Sequence, residues 1–583
     1  MNNPPNHDGE KFEPLDLGNT SLIESTLPTE IWTLVQSARA NFTPQYFLDV
    51  SRNLLENPNL TASHLARAEL CYKSFTDATY NPEARSPHEL ASIVKHMKTD
   101  HQPRLVPALP GYKLEWSVVR KLIPRNPKVD AALLQTCHLY TSATEVTVRR
   151  KDGSTTTIDA ERYLVIYLPH VSDPEAIPFY HPKVRGVAIL YTFQTEAPTD
   201  EPPGVLSLYY DLFPERPLDN RMSRTALKML EIIHKHSKGR AQGYQKRVHH
   251  DVVIPQKTFQ DTYAYLKGKY AQDMIANWVE QTPPEKHVFE DLGIAAFLIE
   301  LWIDMYGGTS SETESATKSG NSTAQDGDQI TDKTDSKRRS TAQENFPGFV
   351  DIGCGNGLLV YILNKEGWSG WGFDARKRKT WETFEDEYKS NLKEMLLVPN
   401  LLKSEDDDDE NASVRDTPPS HNGSFPLGTF IISNHADELT AWTPLLAYLS
   451  TSPFIAIPCC SHNFGGTRFR APYHSEHFPN ATAGASKQPS AYTSLCSYVA
   501  YLTAQMSYAP EKEHLRIPST RNIAIIGRKS KEGHTDVQDM EEKMEIVRRL
   551  VEKEMGNETS IGQVRLQWLK RGSGLTKPGK GGH

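Results

Sequence analysis

Two acids and three glycines lie in one short part of the chain, and their types and spacing are suited to holding a small ligand. The segment VDIGCGNG contains Asp351, followed at alternate positions by Gly353, Gly355 and Gly357. Asp374 ends the next apolar stretch, WGFD. Glycines let the backbone turn sharply and approach a ligand closely, and a carboxylate accepts hydrogen bonds from ribose hydroxyls. This spacing predicts a ligand loop between a strand and a helix.

The glycine spacing also indicates which ligand the loop holds. A dinucleotide-binding loop needs glycine where Leu358 stands, and a Walker loop needs Gly-Lys-Ser/Thr, which is absent. An acid before the glycines favours a cation over a phosphate. A ligand with a ribose and a positive end but no phosphate is S-adenosylmethionine; the alternative is a glycine turn without a ligand. The predicted cofactor-binding residues are Asp351, Gly353, Gly355, Gly357, Asp374 and Asn434.

A polar cluster follows the apolar stretch TFIIS and contains the candidate catalytic residues His435, Asp437 and Glu438. In a doubly wound sheet, residues beyond the carboxyl ends of the strands lie where substrate meets cofactor. Methyl transfer to a hydroxyl gains from an aligned general base, and His435 and Asp437 are the candidates. The alternative is that Asn434 or Asp437 caps a helix and that a carboxylate only orients the site.

The stretch AIPCCSHNF contains Cys459, Cys460 and His462, which raise the questions of zinc and of a cysteine nucleophile. Adjacent cysteines rarely complete a tetrahedral zinc site, and nothing in the sequence indicates that either thiol is activated. We therefore expect no bound metal, with the cysteine nucleophile left as an alternative.

Several basic clusters interrupt a chain whose net charge is −8. This charge argues against a generally basic nucleic-acid coat, so any phosphate contact must be local. One cluster, Arg376, Lys377 and Arg378, directly follows the predicted ribose acid, and another contains Lys246 and Arg247. For each cluster, the alternative to phosphate contact is a solvated face without a ligand. For the second cluster, a structural turn is an equally good interpretation.

The elements that must position these residues alternate from Phe349 onward. Strand-like GFVDIG, WGFD, GTFIISNH and PFIAIPCC are separated by helix-like stretches, including one predicted over 378–396, and TRNIAIIGRK is expected at the sheet edge. Such alternation predicts a doubly wound, mostly parallel sheet. Upstream, three strand-like stretches predict a small mixed sheet, and FEDLGIAAFLIELWIDMY predicts a buried helix that packs against the later domain.

Composition limits the cellular setting. The chain of 583 residues is too long for a single core, and its six cysteines form no CxxC pair, which favours a reducing compartment. We find neither a signal peptide nor an apolar run long enough to span a bilayer. We therefore expect a soluble cytoplasmic protein without a membrane partner.

Taken together, the motifs resemble a known family. The segments VDIGCGNGLLVYILNKEGWSGWGFDARKRKTW, IISNHADELTAW, FIAIPCC and IPSTRNIAIIGR are similar to the eukaryotic tRNA (uracil-2'-O-)-methyltransferases that act on uridine 44 of serine tRNA. The resemblance continues upstream through PKVRGVAILY and GYQKRVHHDVVIPQKTF, and covers most of the chain from about residue 110. It implies tRNA, specifically serine tRNA, as substrate and S-adenosylmethionine as cofactor. It also makes Lys246 and Arg247 the first candidates for tRNA contact.

The resemblance implies an α/β fold in which a Rossmann-like class I methyltransferase domain is preceded by an α+β N-terminal region. It does not identify the catalytic base or a protein partner. Two other readings stay open: methylation of a small molecule or protein, and a non-catalytic RNA-binding scaffold. The expected segments are a disordered N-terminus (1–25), an α+β accessory or tRNA-recognition region (26–306), a disordered linker or insertion (307–345), the methyltransferase domain (346–570) with a disordered insertion (404–424), and a basic tail (571–583).

Overall fold

The computed structural model describes two compact units. The described residues up to Tyr244 belong to the first unit, and those from His249 onward belong to the second. No helix in the described part of the chain combines the length and apolar character needed to cross a membrane. The described residues are 12–17, 22–90, 99–107, 109–127, 129–149, 154–196, 202–244, 249–308, 326–402, 419–478, 489–530, 539–556 and 559–575.

The first unit is built on an eight-stranded sheet in the order β2-β8-β7-β6-β5-β4-β3, with β1 paired to β5. Every pairing is antiparallel, so the expected small mixed sheet is wrong in both size and strand direction. The elements are β1 (Leu22–Ile23), β2 (Trp32–Ala40), α1 (Pro44–Glu56), β3 (Leu65–Lys73), α2 (Pro87–Leu90), β4 (Lys113–Pro124), β5 (Leu133–Arg149), β6 (Thr155–Pro169), β7 (Gly186–Gln194), β8 (Gly204–Asp211) and α3 (Asn220–Ala241).

Helices α1 and α3 supply the core of this unit. Ala226, Leu230 and Ile233 lie on one face of α3 at helical spacing and are fully buried together with Phe47 of α1. Alternate residues of the long antiparallel strands, among them Leu208 of β8, provide the other side of this core. The unit therefore closes its own hydrophobic core.

The second unit contains a seven-stranded sheet in the order β11-β10-β9-β14-β15-β17-β16. The first five strands pair in parallel, and β17 runs antiparallel to both of its neighbours, β15 and β16, which confirms the predicted doubly wound, mostly parallel sheet. The elements are α4 (Gln256–Ala276), α5 (Pro284–Tyr306), α6 (Asp326–Asn345), β9 (Phe349–Ile352), α7 (Leu358–Lys365), β10 (Gly370–Asp374), α8 (Asp386–Lys389), β11 (Leu392–Glu394), β12 (Leu396–Leu397), β13 (Ser420–His421), β14 (Phe430–Asn434), α9 (Thr443–Leu449), β15 (Phe454–Ile457), α10 (Ala491–Gln505), β16 (Glu511–His514), β17 (Ile523–Gly527), α11 (Met540–Met555) and α12 (Ile561–Leu575).

Strand β9 is the point at which the strand order reverses. It pairs with β10 on one side and with β14 on the other, so the chain leaves β9 in one direction and returns to its opposite edge. In open α/β sheets, the crevice outside the carboxyl ends of the strands at such a reversal is where ligands bind. The fold therefore brings the ends of β9, β10 and β14 together as the candidate site.

Helix α5 is buried along most of its length, as its sequence predicted. Trp302 is fully buried, and its ring centroid lies 4.4 Å from that of Phe346, 5.5 Å from that of Phe349 and 5.2 Å from that of Trp368. These aromatic contacts fix α5 against the start of β9 and the end of α7. Helix α5, which we assigned to the upstream region, therefore belongs to the core of the second unit.

Two predicted segments differ in secondary structure. No long helix forms over 378–396; a 3-10 turn at Lys379–Thr383, the short α8 and strand β11 take its place. The reason is tertiary, because burying Trp381 in the core draws this segment inward. The strand in TRNIAIIGRK, β17, does not lie at the sheet edge, because β16 pairs with its outer side.

Parts of the segments that we expected to be disordered are ordered. In the expected linker, α6 forms because Arg339 and Gln343 donate hydrogen bonds to Glu366 and because Ala342 is fully buried. In the expected disordered N-terminus, Pro14 forms a bridge with Ala38 and β1 pairs with β5. The basic tail begins inside α12, and β13 occupies the end of the insertion. The remainder of the expected linker (309–325) and of the expected insertion (403–418) lies outside the described part of the chain.

We expect that replacing Trp302 with alanine will lower the free energy of unfolding by about 3–5 kcal/mol, because a large buried aromatic group is removed from a rigid cluster. Urea unfolding followed by circular dichroism measures this change. Leu566→Ala is the matched control, since Leu566 is 67% exposed and its loss is expected to cost no more than about 0.5 kcal/mol. Equal midpoints for the two variants would contradict this role of the aromatic cluster.

Candidate cofactor and catalytic site

The three glycines adopt left-handed backbone conformations, which agree with the sharp turn predicted for this loop. Their φ angles are 76° at Gly353, 53° at Gly355 and 75° at Gly357. A Cβ atom at Gly353 would lie 3.0 Å from that of Ala436, and one at Gly357 would lie 2.7 Å from a methyl group of Leu392. A Cβ atom at Gly355 would meet nothing within 4 Å. Gly353 and Gly357 are therefore needed for packing, whereas Gly355 borders open space.

Asp374 lies beside this open space, at the end of β10. Its carboxylate accepts one hydrogen bond from the amide of Gly355 at 3.0 Å and another from the amide of Arg376 at 3.1 Å. The indole of Trp381 donates to the carbonyl oxygen of Gly355 at 2.9 Å and fixes the other side of the loop. The structure thus places the predicted ribose acid directly against the predicted glycine loop.

Asp351 is 1% exposed at the end of β9. Burial raises its pKa well above the ordinary value, and the nearby charges of Asp291 and Asp374 raise it further. Its Oδ1 atom has no hydrogen-bond partner among the described residues. A buried carboxyl oxygen without a hydrogen-bond partner is costly, so this atom is a candidate contact for a ligand.

Two acids that the sequence analysis missed reach the site from α5. Asn356 in the glycine loop donates to Asp291 Oδ2 at 3.2 Å, and Asn434 at the end of β14 donates to Asp291 Oδ1 at 3.5 Å. The neighbouring Glu290 faces the same strand end. The available signal was a Glu-Asp pair directly before a long apolar run (292–299), because acids next to such a run are rarely buried without a function or a partner.

His435 and Glu290 form a polar pair at the end of β14. His435 Nε2 lies 3.1 Å from Glu290 Oε1, and its Nδ1 has no partner in the described part of the chain. Burial acts to raise the pKa of Glu290, but the hydrogen bond and charge of His435 outweigh it, so that the net shift is downward. A histidine held by a carboxylate at one nitrogen presents the other nitrogen as a proton acceptor.

The backbone around this pair is unusual. His435 has φ = 51° and Asp437 has φ = 42°, both in the left-handed region that favours glycine. Non-glycine residues in this region cost energy and cluster at functional sites. This turn aims His435 at Glu290, while Asp437 faces the end of β15.

Asp437 contacts the adjacent cysteines rather than His435. The Cys459 thiol donates to Asp437 Oδ1 at 3.0 Å, and burial raises the pKa of this thiol. In the described ranges, Asp437, Cys459 and Cys460 form the one group of side chains close enough to hold a metal ion. The raised pKa argues against an activated thiolate. The absence of a metal stays a prediction.

Glu438 is held by a different element. Arg571 of α12 donates from Nε to Glu438 Oε1 at 2.7 Å, and His462 Nε2 lies 3.9 Å from the same oxygen. Glu438 is 7% exposed, whereas the side chain of Arg571 is 45% exposed, so only the carboxylate end of this ion pair is withdrawn from water. The structure therefore places Glu438 in a contact that anchors α12, apart from the Glu290–His435 pair.

The predicted RNA-binding residues lie in two places. Lys246 and Arg247 lie outside the described residues. Arg376, Lys377 and Arg378 form the turn that follows Asp374. Within it, Lys377 is paired with Glu382, and Arg378 has a buried Nε atom without a partner among the described residues. This turn places positive charge beside the cofactor loop.

The residues present fit S-adenosylmethionine. Gly355 borders open space, the Asp374 carboxylate lies beside it, and Asp351 and Asn434 each have a buried oxygen without a partner among the described residues. All of these groups stand at the carboxyl ends of neighbouring strands. They would hold the ribose and the cationic end of such a ligand, whereas no Walker-type lysine is present for a phosphate.

Two family profiles match the chain. Residues 11–247 match the family described as "TRM44-like, N-terminal bet v1-like domain". Residues 253–322 and 333–399 match "Predicted AdoMet-dependent methyltransferase". The second match includes α5 and the glycine loop, in agreement with the unit boundary in the structure.

Three relatives are each named "tRNA (uracil-O(2)-)-methyltransferase". The Neurospora crassa protein is 42% identical, with 85% of this chain and 86% of the relative covered. The Aspergillus oryzae protein is 37% identical, with 88% and 85% covered. The Saccharomyces cerevisiae protein is 34% identical, with 84% and 85% covered. The similarity therefore extends over both units.

Two glycine variants separate ligand contact from packing. We expect Gly355→Ala to weaken S-adenosylmethionine binding strongly but to lower the unfolding free energy by only about 1–2 kcal/mol, the cost of a left-handed alanine. Gly357→Ala carries the same backbone cost and also clashes with Leu392, so its thermal midpoint should fall further. Calorimetric titration and thermal unfolding measure the two effects. Normal cofactor affinity in Gly355→Ala would contradict the assignment of the open space.

Proposed function

Because the chain belongs to the tRNA (uracil-O(2)-)-methyltransferase family, we propose that it methylates the ribose 2'-hydroxyl of a uridine in tRNA, and that this uridine is position 44 of serine tRNA. The observation that carries the proposal is that the Glu290–His435 pair adjoins the glycine loop. Asp291, next to Glu290, accepts a hydrogen bond from Asn356 of the loop, and Ala436, next to His435, lies against Gly353. The serine tRNA and its position rest on the resemblance of the motifs.

The cofactor is held by residues at three strand ends. We assign Asp374 to the ribose hydroxyls, because it already accepts hydrogen bonds and lies beside the open space at Gly355. Asp351 and Asn434 complete the polar lining with their unpartnered oxygens, as counted among the described residues. When bound, S-adenosylmethionine supplies an electrophilic methyl group on a sulfonium.

His435 is the general base in this proposal. Glu290 accepts the hydrogen bond from Nε2, which fixes the tautomer and leaves Nδ1 as the acceptor for the proton of the 2'-hydroxyl. Nδ1 is buried and has no partner among the described residues, so His435 must become accessible when the substrate binds. Asp437 is less suited to this role, because its carboxylate already accepts a hydrogen bond from the Cys459 thiol. Glu438 is less suited because Arg571 occupies it. Both then support the turn that carries His435.

The tRNA phosphates are bound by local positive charge. Arg376 and Arg378 follow the ribose acid. Lys377 lies between them and must break its ion pair with Glu382 before it can bind a phosphate. Lys246 and Arg247 join this set, and the first unit serves in tRNA recognition. We place the enzyme in the cytoplasm, where its free cysteines would stay reduced.

The function is tested by mass spectrometry of nucleosides from serine tRNA in cells with and without the protein. We expect 2'-O-methyluridine at position 44 to disappear without it and to return with the wild type but not with Asp374→Ala. An unchanged level of 2'-O-methyluridine at position 44 would overturn the assignment of serine tRNA as the substrate. Methyl transfer that survives ribonuclease treatment of the substrate pool would favour a small molecule or protein instead.

We expect His435→Ala to lower kcat by about 10²–10⁴-fold, since a positioned general base contributes this much. Cofactor affinity should stay near that of the wild type, which calorimetric titration can check. Asp437→Asn is the comparison, because it leaves the Glu290–His435 pair in place. A larger loss in Asp437→Asn than in His435→Ala would transfer the role of base to Asp437.

Replacing Arg376 and Arg378 together with alanine should weaken tRNA binding. The slope of the logarithm of the binding constant against the logarithm of salt concentration should become shallower by the amount expected for about two phosphate contacts. The matched control is Arg548→Ala with Arg549→Ala, two arginines on α11 paired with Glu545. Filter binding at several salt concentrations gives both slopes. Equal slopes for the two double variants would refute the phosphate contacts.

A further inference from the structure

We propose that Asp291 of α5 joins Asp351 of β9, already assigned above to the cationic end of the ligand, and that the two form an acidic subsite for the methionine end of the methyl donor. The proposal rests on the proposed function, because it takes S-adenosylmethionine as the donor. It adds a recognition residue from outside the glycine-loop segment, on a helix that precedes it in the sequence.

Three elements converge on Asp291. The amide of Asn356 reaches it from the glycine loop, and the amide of Asn434 reaches it from the end of β14. Asp351 lies close enough to Asp291 for the two charges to interact. Asp291 is 7% exposed and Asp351 1% exposed, so both carboxyl groups lie beneath the surface at the point where the strand order reverses.

These carboxyl groups are not balanced by a positive side chain in any contact that the described residues make with them. Both hydrogen-bond donors to Asp291 are neutral amides. Two buried carboxylates that face each other are unfavourable unless one is protonated or a cation is present. Burial raises the pKa of Asp291 to about 7, with the charge of Glu290 adding to the shift and Asn356 opposing it.

An organic cation suits this subsite better than a metal ion or a phosphate. Among the described residues, the oxygens of Asp291, Asp351 and Asp374 are not grouped closely enough to ligate one metal ion together. A phosphate would be repelled by the same acids. The sulfonium and ammonium groups of S-adenosylmethionine are extended along one chain, so that each can meet a different carboxylate.

The arrangement couples cofactor binding to proton release. The ionisable groups around Asp291 are Glu290 on the same helix, Asp351 on β9, Asp374 at the end of β10, and His435 directly after β14. Below about pH 7 Asp291 keeps its proton, and a cation must expel it to bind the charged form. Affinity should therefore rise with pH up to this value and then level off, by about fivefold between pH 6 and pH 7.

The experiment is calorimetric titration of the full chain with S-adenosylmethionine at pH 6, 7 and 7.5, in two buffers of different ionisation enthalpy. We expect release of about one proton per cofactor at pH 6. Asp291→Asn keeps the shape of the side chain but removes its charge. It should weaken binding about tenfold or more at pH 7.5 and reduce both the pH dependence and the proton release, leaving only the part that Asp351 contributes.

Two further variants separate the possible failures. Glu285→Gln removes an exposed acid from the first turn of the same helix and should change neither affinity nor pH dependence. Asp374→Ala should weaken binding but retain the pH dependence. If Asp374→Ala binds like the wild type, the donor assignment itself fails. If Asp374→Ala is weakened while Asp291→Asn keeps wild-type affinity and slope, the acidic subsite alone is overturned.

Protein stability does not decide the outcome. If Asp291→Asn does not fold, as judged by thermal unfolding, the wild-type protein still tests the proposal. Cofactor binding by the wild type without proton release at pH 6, in either buffer, would overturn the subsite. Proton release that matches a group with a pKa near 7 would support it.

Discussion

The burial of carboxyl groups beside the carboxyl ends of neighbouring parallel strands is the constraint on which the second unit depends. Asp351 and Asp291 are withdrawn from water where charged groups are least stable, and their mutual repulsion adds to that cost. Packing elsewhere must hold them there. Helix α5 is fixed by the aromatic cluster around Trp302, which lies toward the opposite end of the helix from Asp291.

The loop glycines meet the same constraint from the other side. Gly353 and Gly357 allow the backbone to fold tightly against Ala436 and Leu392, which leaves no room for side chains that could cover the acids. The indole of Trp381 then fixes the loop at Gly355. Packing in the hydrophobic core thus offsets the free-energy cost of burying polar groups in the crevice. Only residues that contact this crevice take part in the chemistry.

The sequence was sufficient to predict the sharp turn at the glycines, the position of Asp374 at a strand end and the alternating strands, because each depends on local spacing. It could not predict the role of Glu290 and Asp291, since their helix reaches the strand ends only through long-range packing. The segment around Trp381 was predicted as a helix for the same reason: its periodicity is helical, but a buried indole draws it into another conformation. Local pattern also failed at α6, where contacts with Glu366 order a polar stretch.

The contact between Arg571 and Glu438 has a consequence for biosynthesis. These residues are 133 positions apart in the sequence, yet one ion pair joins them, and the indole of Trp568 on the same helix donates to the carbonyl oxygen of Leu397. A nascent chain emerging from the ribosome exposes β14 and its neighbours long before α12 has been translated. The ion pair can form only after α12 has emerged, so the second unit cannot complete its folding before that point.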